Sequence, residues 1–273
     1  MISSPISGEL ARLRIASLHE AARHERLVRQ AGHQAHVPAP RTHGRPRVTA
    51  TLPEELLLLA VDHECKTSGG AARAALPYGL AGAVVAELLL REAAAVTDRG
   101  LLAVTGRLTG DGLLDDVLTR IHTSRRPRRV TGWVGVLAGR SYNLRSRLSR
   151  RLATAGVLRE EERRVLGVLP VRRYTVAEQS ALAELRARLR AGLLGGDALN
   201  ARTASLVGLV GACGLVDGLV ACDERRAARS RAAAISDDDP VGTAVSAAIQ
   251  EARADAVAGA TAAVVASTIP TTS

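Results

Sequence analysis

Four arginines crowd one short stretch of the sequence and give it the strongest candidate chemistry of the chain. Arg145, Arg147, Arg150 and Arg151 all lie within residues 143–158. Guanidinium groups form paired hydrogen bonds with phosphate and carboxylate groups. The chain carries 37 lysines and arginines against 27 aspartates and glutamates, a formal charge of +10, so its surface attracts polyanions. Nucleic acid, an anionic lipid surface and water alone are therefore the alternatives for these arginines.

Catalytic motifs are absent from the sequence. It contains no G-x-S-x-G, no P-loop, no G-x-G-x-x-G after a strand and no H-E-x-x-H pattern. In the region that we predict to be ordered, the only histidines are His63 and His122, which are far apart in the sequence. We therefore predict that the chain is not an enzyme, has no catalytic residues and requires no cofactor.

The acidic and histidine clusters that resemble metal sites have simpler explanations. Asp111, Asp115 and Asp116 lie near the start of a predicted helix, where carboxylates ordinarily complement the helix dipole. His33 and His36 lie in a polar stretch, in which scattered histidines are usually solvated. We predict no metal site.

Buried polar groups are predicted at one glutamate and at the thiols. Glu87 lies inside an apolar run, where an ion pair with an arginine from another helix is the simplest explanation for a buried carboxylate. Cys65, Cys213 and Cys222 are odd in number and far apart, which indicates reduced, mostly core thiols in a cytosolic protein. The N-terminal residues also lack the apolar run and cleavage site of a secretory signal.

Helical patterns dominate the first half of the ordered region. Thr51 and Glu54 form a T-x-x-E capping box that predicts a helix start. A second helix, apolar nearly all round and therefore buried, is predicted to start near Pro77. Residues 94–106 alternate around D-R-G like a hairpin, and a helix with Asp111 near its start follows.

The pattern of the arginine-rich stretch 143–158 predicts an amphipathic helix, with apolar positions on one face and arginines on the flank and the opposite face. The apolar positions are Leu144, Leu148, Leu152, Ala155 and Leu158. A short acidic link and two strand-like runs around Leu169-Pro170 then predict a second hairpin. The next helix is predicted to be capped near Thr175 and to stop at Gly195.

The composition along the chain predicts one domain between two tails. Residues 1–48 combine prolines, arginines and histidines without apolar periodicity, which predicts a flexible basic extension. Residues 50–260 form the predicted domain, and residues 261–273 a frayed C-terminal tail. The apolar run 206–222 is short for a membrane span and is interrupted by an aspartate, so we predict a buried helix broken near Gly214.

Two binding hypotheses compete for the arginines. In the first, the helix and the following hairpin act as the recognition helix and wing of a winged-helix DNA-binding protein, with Arg147, Arg150 and Arg151 against phosphates or base edges. In the second, the arginines bind lipid phosphates and the apolar tip of the hairpin enters the membrane interface. The residues of the tip are Val168, Leu169 and Pro170.

Six segments, taken in order and with their spacing, carry a family resemblance. They are LPEELLLLAVD (52–62), YGLAGAVVAELLLR (78–91), TGDGLLDDVLTRI (109–121), VTGWVGVLAG (130–139), ATAGVLREEERRVLGVLPVRRYTV (153–176) and RTASLVGLVGACGLVDGL (202–219). Together they resemble the Golgi phosphoprotein 3 family, the GPP34 domain, in its bacterial branch. The resemblance extends over about residues 50–260.

This resemblance implies a mainly α-helical single domain, with a central helical bundle and a protruding β-hairpin. It also implies a peripheral membrane protein, because eukaryotic members bind phosphatidylinositol 4-phosphate on the cytosolic face of the Golgi and recruit cargo glycosyltransferases. The implied partners are anionic phospholipid head groups, the membrane surface and, through the hairpin, protein cargo or a second copy of the chain. The implied location is cytoplasmic and reversibly membrane-bound, and nucleic acid is disfavoured as a partner.

The lipid pocket of the family is only partly kept in this sequence. The family's pocket tryptophan aligns with Ala72, and an arginine before the buried helix aligns with Ala81. Of two arginines one helical turn apart, the first aligns with Tyr142 and the second is kept as Arg145. One of four positions is therefore kept, so binding is expected to follow total anionic charge rather than one lipid.

From this resemblance we predict a head-group site centred on Arg145. Tyr142 lies beside it, and Arg73 and Arg172 are candidate replacements for the lost partners. The other arginines of the stretch, Arg147, Arg150 and Arg151, are expected to form a solvated flank that adds long-range attraction.

Overall fold

The computed structural model describes residues 50–66, 70–165, 169–195, 199–239, 241–251 and 254. Side chains are described at these positions except residues 66, 162–165 and 169–172. The predicted tails, residues 1–48 and 261–273, lie outside the described residues and stay predictions.

The fold is mainly α-helical, as predicted. Its helices are α1 (Leu52–Lys66), α2 (Gly70–Leu90), α3 (Gly112–His122), α4 (Val130–Ala138), α5 (Leu144–Thr154), α6 (Gln179–Leu194), α7 (Ala201–Ala212), α8 (Arg225–Asp238) and α9 (241–251). Two antiparallel hairpins interrupt the helices: β1 (Ala94–Val96) with β2 (Leu102–Val104), and β3 (Leu158–Val165) with β4 (Leu169–Val176).

Helix α2 lies at the centre of the bundle and packs against α1, α4, α5 and α7. It is long and apolar enough to cross a membrane, but 67% of its apolar window is buried inside the protein. Neighbours approach its backbone closely, because a Cβ atom at Gly82 would lie 2.0 Å from Val245 Cγ2. This close packing explains the all-round apolar pattern that predicted a buried helix.

The predicted start of α2 near Pro77 is wrong, since the helix begins at Gly70 and Pro77 lies inside it. The residues between them are alanine-rich, and alanine has the highest helix propensity. Pro77 has no N–H to donate to the carbonyl of Arg73 one turn earlier, a local loss that the surrounding packing outweighs.

The β1–β2 hairpin agrees with its prediction. The N–H of Thr97 donates to the carbonyl of Leu101 at 2.9 Å, so Asp98, Arg99 and Gly100 form the turn. Gly100 has φ of +72°, a left-handed conformation that glycine adopts without steric cost.

Helix α5 ends earlier than its apolar pattern predicts. Leu144, Leu148 and Leu152 are buried on one face as expected, but Leu158 belongs to β3. Gly156 has φ of +72°, and the N–H of the next residue donates to the carbonyl of Leu152 at 2.9 Å. This Schellman arrangement ends the helix and turns the chain into the strand.

The residues predicted as a short acidic link are instead part of β3. The two strands pair from Leu158 opposite Val176 to Val165 opposite Leu169, and Glu161 lies opposite Arg173. Opposite charges across an antiparallel pair stabilise it, which explains a strand of such polar sequence.

The start of the next helix also differs from its prediction. Thr175 lies in β4, where its hydroxyl donates to Glu161 at 3.1 Å. Helix α6 is preceded by Glu178 and ends at Leu194, and its C-cap is Gly195, the stop that the sequence predicts.

The predicted break of the buried apolar helix near Gly214 is confirmed. Helix α7 ends at Ala212, and Gly214 has φ of +70°. The thiols differ from expectation, because only Cys213 is buried, whereas Cys65 and Cys222 are exposed in a last helical turn and in a loop. Burial raises the pKa of the Cys213 thiol to about 12, which keeps it protonated and inert.

Candidate anion-binding site

Two of the predicted head-group residues meet at a carboxylate that sequence reasoning missed. Arg145, in the first turn of α5, donates to Glu64 of α1 through Nη1 at 2.9 Å and Nη2 at 2.6 Å. Arg73, in the first turn of α2, places its Nε 3.7 Å from Oε1 of the same carboxylate. The exposed fractions of the side chains are 16% for Glu64, 39% for Arg145 and 69% for Arg73. The site is therefore an open cluster of two cations around one anion.

The chain enters α5 through a left-handed residue, Asn143, with φ of +45° and ψ of +44°. Asparagine tolerates this conformation better than most residues. The turn brings Leu144 into the core and places Arg145 beside the C-terminal end of α1.

Tyr142 lies next to the cluster in sequence but in a different electrostatic environment. It is half-buried against the core, and burial raises the pKa of its hydroxyl. The charges that act on it are those of Arg120, Asp116 and Arg147. The described structure thus does not join Tyr142 to the pair of Arg145 and Glu64.

The base of the second hairpin adjoins this cluster. Strand β4 packs against α1 and β3 against α5, and Cys65, the neighbour of Glu64, donates from Sγ to the carbonyl of Tyr174 at 3.9 Å. At about 3.3 Å per strand residue, the far end of β3 lies roughly 23 Å from this base. The hairpin is therefore long enough to reach well beyond the cluster.

The predicted tip falls largely outside the described residues. Val168 is outside them altogether, and the side chains of Leu169, Pro170 and Arg172 are outside them too. The backbone register places Pro170 opposite Arg164 near the far end of the hairpin. Membrane contact by this tip, and a role for Arg172, stay predictions.

The expectation of a solvated arginine flank is wrong for two of its three members. Arg147 pairs with Asp116 at 2.5 Å. Arg151 lies between the N-terminal turns of two helices, 2.7 Å from Glu54 of α1 and 2.6 Å from Asp111 before α3. Arg150 alone is exposed as expected. The reason is that the flank of α5 faces the acidic first turns of α1 and α3.

The carboxylates considered for a metal site or for catalysis already accept hydrogen bonds from groups of the protein. Asp111 caps α3 by accepting from the N–H groups of Leu113 and Leu114. Asp115 accepts from the N–H and the hydroxyl of Thr109, at 2.8 and 2.7 Å. Across the described ranges, no group of three or more His, Cys, Asp or Glu side chains is placed to hold a metal ion.

Glu87 has the partner that the sequence predicts. It is 2% exposed and accepts from Arg202 of α7 at 3.0 Å, from Arg91 at 2.8 Å and from the N–H of Leu52 at 2.8 Å. The N–H and hydroxyl of Thr51 both donate to Glu54 at 2.8 Å, which confirms the predicted capping interaction. These groups hold the start of α1 against α2 and α7.

The Asp111–Arg151 pair predicts a pH-dependent contribution to stability. Burial raises the pKa of Asp111. The hydrogen bond and charge of Arg151 and the two capping N–H groups lower it by more, so the net pKa lies below the ordinary value of 3.8 for an aspartate. Because the folded pKa is depressed, the contribution is complete above pH 3.8 and is lost as the pH falls through the folded pKa.

We expect the difference in unfolding free energy between the wild type and Asp111→Asn to be larger at pH 6 than at pH 3. Urea denaturation at the two pH values measures this difference. A difference that does not change with pH would contradict the ion pair.

Comparison with known proteins extends over most of the described chain. The family model described as Golgi phosphoprotein 3 (GPP34) matches residues 52–252. The vacuolar protein sorting-associated protein 74 of Schizosaccharomyces pombe (strain 972 / ATCC 24843) is 28% identical over an alignment of 167 residues that covers 53% of this chain and 48% of that protein. The chain thus matches about half the length of this curated relative.

Proposed function

Because the chain belongs to the Golgi phosphoprotein 3 family, we propose that it is a peripheral membrane protein that binds anionic phospholipid head groups reversibly. The observation that carries the proposal is the meeting of Arg145 and Arg73 beside the base of a long hairpin. A cationic cluster at the base of a hairpin whose predicted tip is apolar in sequence would offer a membrane surface both an electrostatic and an apolar contact. We propose no catalytic activity, and a location at the cytosolic face of a membrane.

Glu64 determines how this cluster meets a phosphate. A guanidinium has five N–H donors, and Glu64 accepts from two nitrogens of Arg145 while its charge repels an incoming anion. Arg73 is mostly exposed and adds a second cation. Such a site attracts negative charge without enclosing one head group, so affinity comes mainly from general electrostatics, about 1 kcal/mol per basic residue near the surface.

This arrangement bears on lipid specificity. The family's phosphatidylinositol 4-phosphate pocket is reduced here to Arg145, and that arginine is paired with a carboxylate. We therefore propose that the total anionic charge of the membrane, rather than one phosphoinositide, governs binding. Protein cargo or a second copy of the chain at the hairpin remains a further proposal for its partners.

Vesicle co-sedimentation tests the proposal. At low salt the wild type is expected to sediment with phosphatidylglycerol or cardiolipin vesicles, and less with phosphatidylcholine vesicles containing a little phosphatidylinositol 4-phosphate. Raising the salt should release it, because exposed charges are screened. If the protein ignores all of these vesicles at low salt, the proposal is wrong.

The hairpin tip is tested by Leu169→Asp. Partial burial of one leucine at the interface contributes about 1 kcal/mol, so we expect vesicle binding to weaken about fivefold. The matched control is Leu108→Asp, because Leu108 is an exposed leucine, at 56%, before α3. Equal weakening by both variants would contradict a role for the tip.

The DNA-binding alternative receives no support from the family match or from the arginines. Arg147 and Arg151, which it places against DNA, pair with carboxylates of α3, α1 and the residue before α3. We do not retain it.

A further inference from the structure

The last turn of α3 and its connection to α4 carry a group of exposed cations. They are Arg120 in α3 and Arg125, Arg126, Arg128 and Arg129 in the connection, all of them exposed. Within the part of the chain that the structure describes, none of them forms an ion pair with a carboxylate. This contrasts with α5, where Arg145, Arg147 and Arg151 are all paired.

Three of these arginines surround a cavity of about 230 Å³. Arg120, Arg125 and Arg128 line it together with Thr123, Ser124 and Trp133, and no carboxylate does. The C-terminal end of α3 carries about half a negative charge, which offsets only a small part of three guanidiniums. The cavity is therefore a region of strong positive potential.

The cavity has a fixed frame. The N–H of Leu102 donates to the carbonyl of Arg128 at 3.0 Å, and Leu101 forms a bridge with Arg129, so the β1–β2 hairpin holds one side. The hydroxyls of Thr123 and Ser124 each donate to a backbone carbonyl at 2.9 Å. The hydroxyls thus stabilise the backbone, and the guanidiniums are the donors available to a ligand.

Trp133 forms the floor of this site. Its side chain is 2% exposed, and the guanidinium carbon of Arg128 lies 5.9 Å from the ring centroid, within the range of a cation–π contact. Its indole N–H has no acceptor among the described residues. Because Trp133 lines the cavity and contacts Arg128, its fluorescence is placed to report on a ligand there.

We infer that this cavity binds a phosphate group, either as inorganic phosphate or as a phosphomonoester. Guanidiniums match the geometry of phosphate oxygens, and several of them without a competing carboxylate favour an anion over any other ligand. The volume lies below the roughly 300–1,000 Å³ of clefts for larger small molecules, so it suits one phosphate rather than a whole cofactor. This site is separate from the Arg145 cluster and does not rest on the proposed membrane function.

The fluorescence of Trp133, the single tryptophan of the chain, tests the inference. At constant ionic strength, inorganic phosphate is expected to change the emission in a saturable manner and chloride is not. Phosphorus-31 line broadening provides a second readout. Arg120→Gln and Arg125→Gln should each weaken phosphate binding about tenfold, the effect of losing one hydrogen bond to a charged group. Arg128 is left intact, because removing it would alter the emission by itself.

The matched control is Arg126→Gln, which removes one exposed arginine of the same loop that does not line the cavity. It should leave phosphate binding within twofold of the wild type. Glycerol 3-phosphate and phosphatidic acid vesicles distinguish a free phosphate from a lipid head group, and binding of either supports the site. The inference is overturned if neither readout shows saturable phosphate binding, or if Arg126→Gln weakens it as much as Arg125→Gln.

Discussion

Replacing Glu87 with alanine is expected to lower the free energy of unfolding by about 3–5 kcal/mol, the effect of breaking a buried ion pair by removing one partner. The carboxylate is 2% exposed and accepts from Arg91, Arg202 and the N–H of Leu52. Its removal leaves those donors without their acceptor and a cavity between α1, α2 and α7. Typical domains are stable by about 5–15 kcal/mol, so the loss is a large part of the total.

Urea denaturation followed by circular dichroism measures this effect. Glu87→Gln should have a smaller effect, because its amide oxygen can still accept from one of the donors. The control is Asp116→Ala, which removes an exposed pair with Arg147 and should cost at most about 1 kcal/mol. If Glu87→Ala costs no more than Asp116→Ala, the buried cluster does not hold the bundle together.

The buried glutamate also shows how far sequence reasoning reaches. A charge inside an apolar helix needs a counter-charge, and this rule alone predicted an arginine on another helix for Glu87. The sequence could not indicate which arginine, because Arg202 is 115 positions away and the chain has 37 basic residues. Tertiary packing selects the partner, and no local pattern encodes it.

The same limit applies to the candidate site. The order and spacing of the segments led to the family and to Arg145, but not to Glu64, which lies 81 positions away and outside the six segments that carry the resemblance. Nor could the apolar spacing show that α5 turns at Gly156, because Leu158 is buried whether it continues a helix or begins a strand. Burial patterns thus predict which face is inside, while ion-pair partners and some helix ends depend on the folded structure.

Glu64, which the sequence did not indicate, provides the sharpest test of the membrane site. The substitution Glu64→Gln is expected to tighten binding to phosphatidylglycerol vesicles. The change removes one negative charge and one of the two acceptor oxygens, so at least one nitrogen of Arg145 is released, with Arg73 beside it. The charge contributes about 1 kcal/mol near a membrane, and a hydrogen bond from a freed guanidinium to a phosphate about 1.5–3 kcal/mol. Together these contributions correspond to a gain of roughly a hundred- to a thousandfold in vesicle affinity, measured by co-sedimentation at fixed salt.

The control for this gain is Glu92→Gln, which also removes one carboxylate and frees one arginine, Arg107, at an exposed pair after α2. If net charge alone governs binding, Glu92→Gln tightens it as much as Glu64→Gln, and the Arg145 cluster is not the membrane site. If the cluster is the site, Glu92→Gln gains only the charge contribution, and adding Arg145→Gln to Glu64→Gln removes the gain. The double variant matters because it keeps the loss of the Glu64 charge while removing the guanidinium that the change was meant to release.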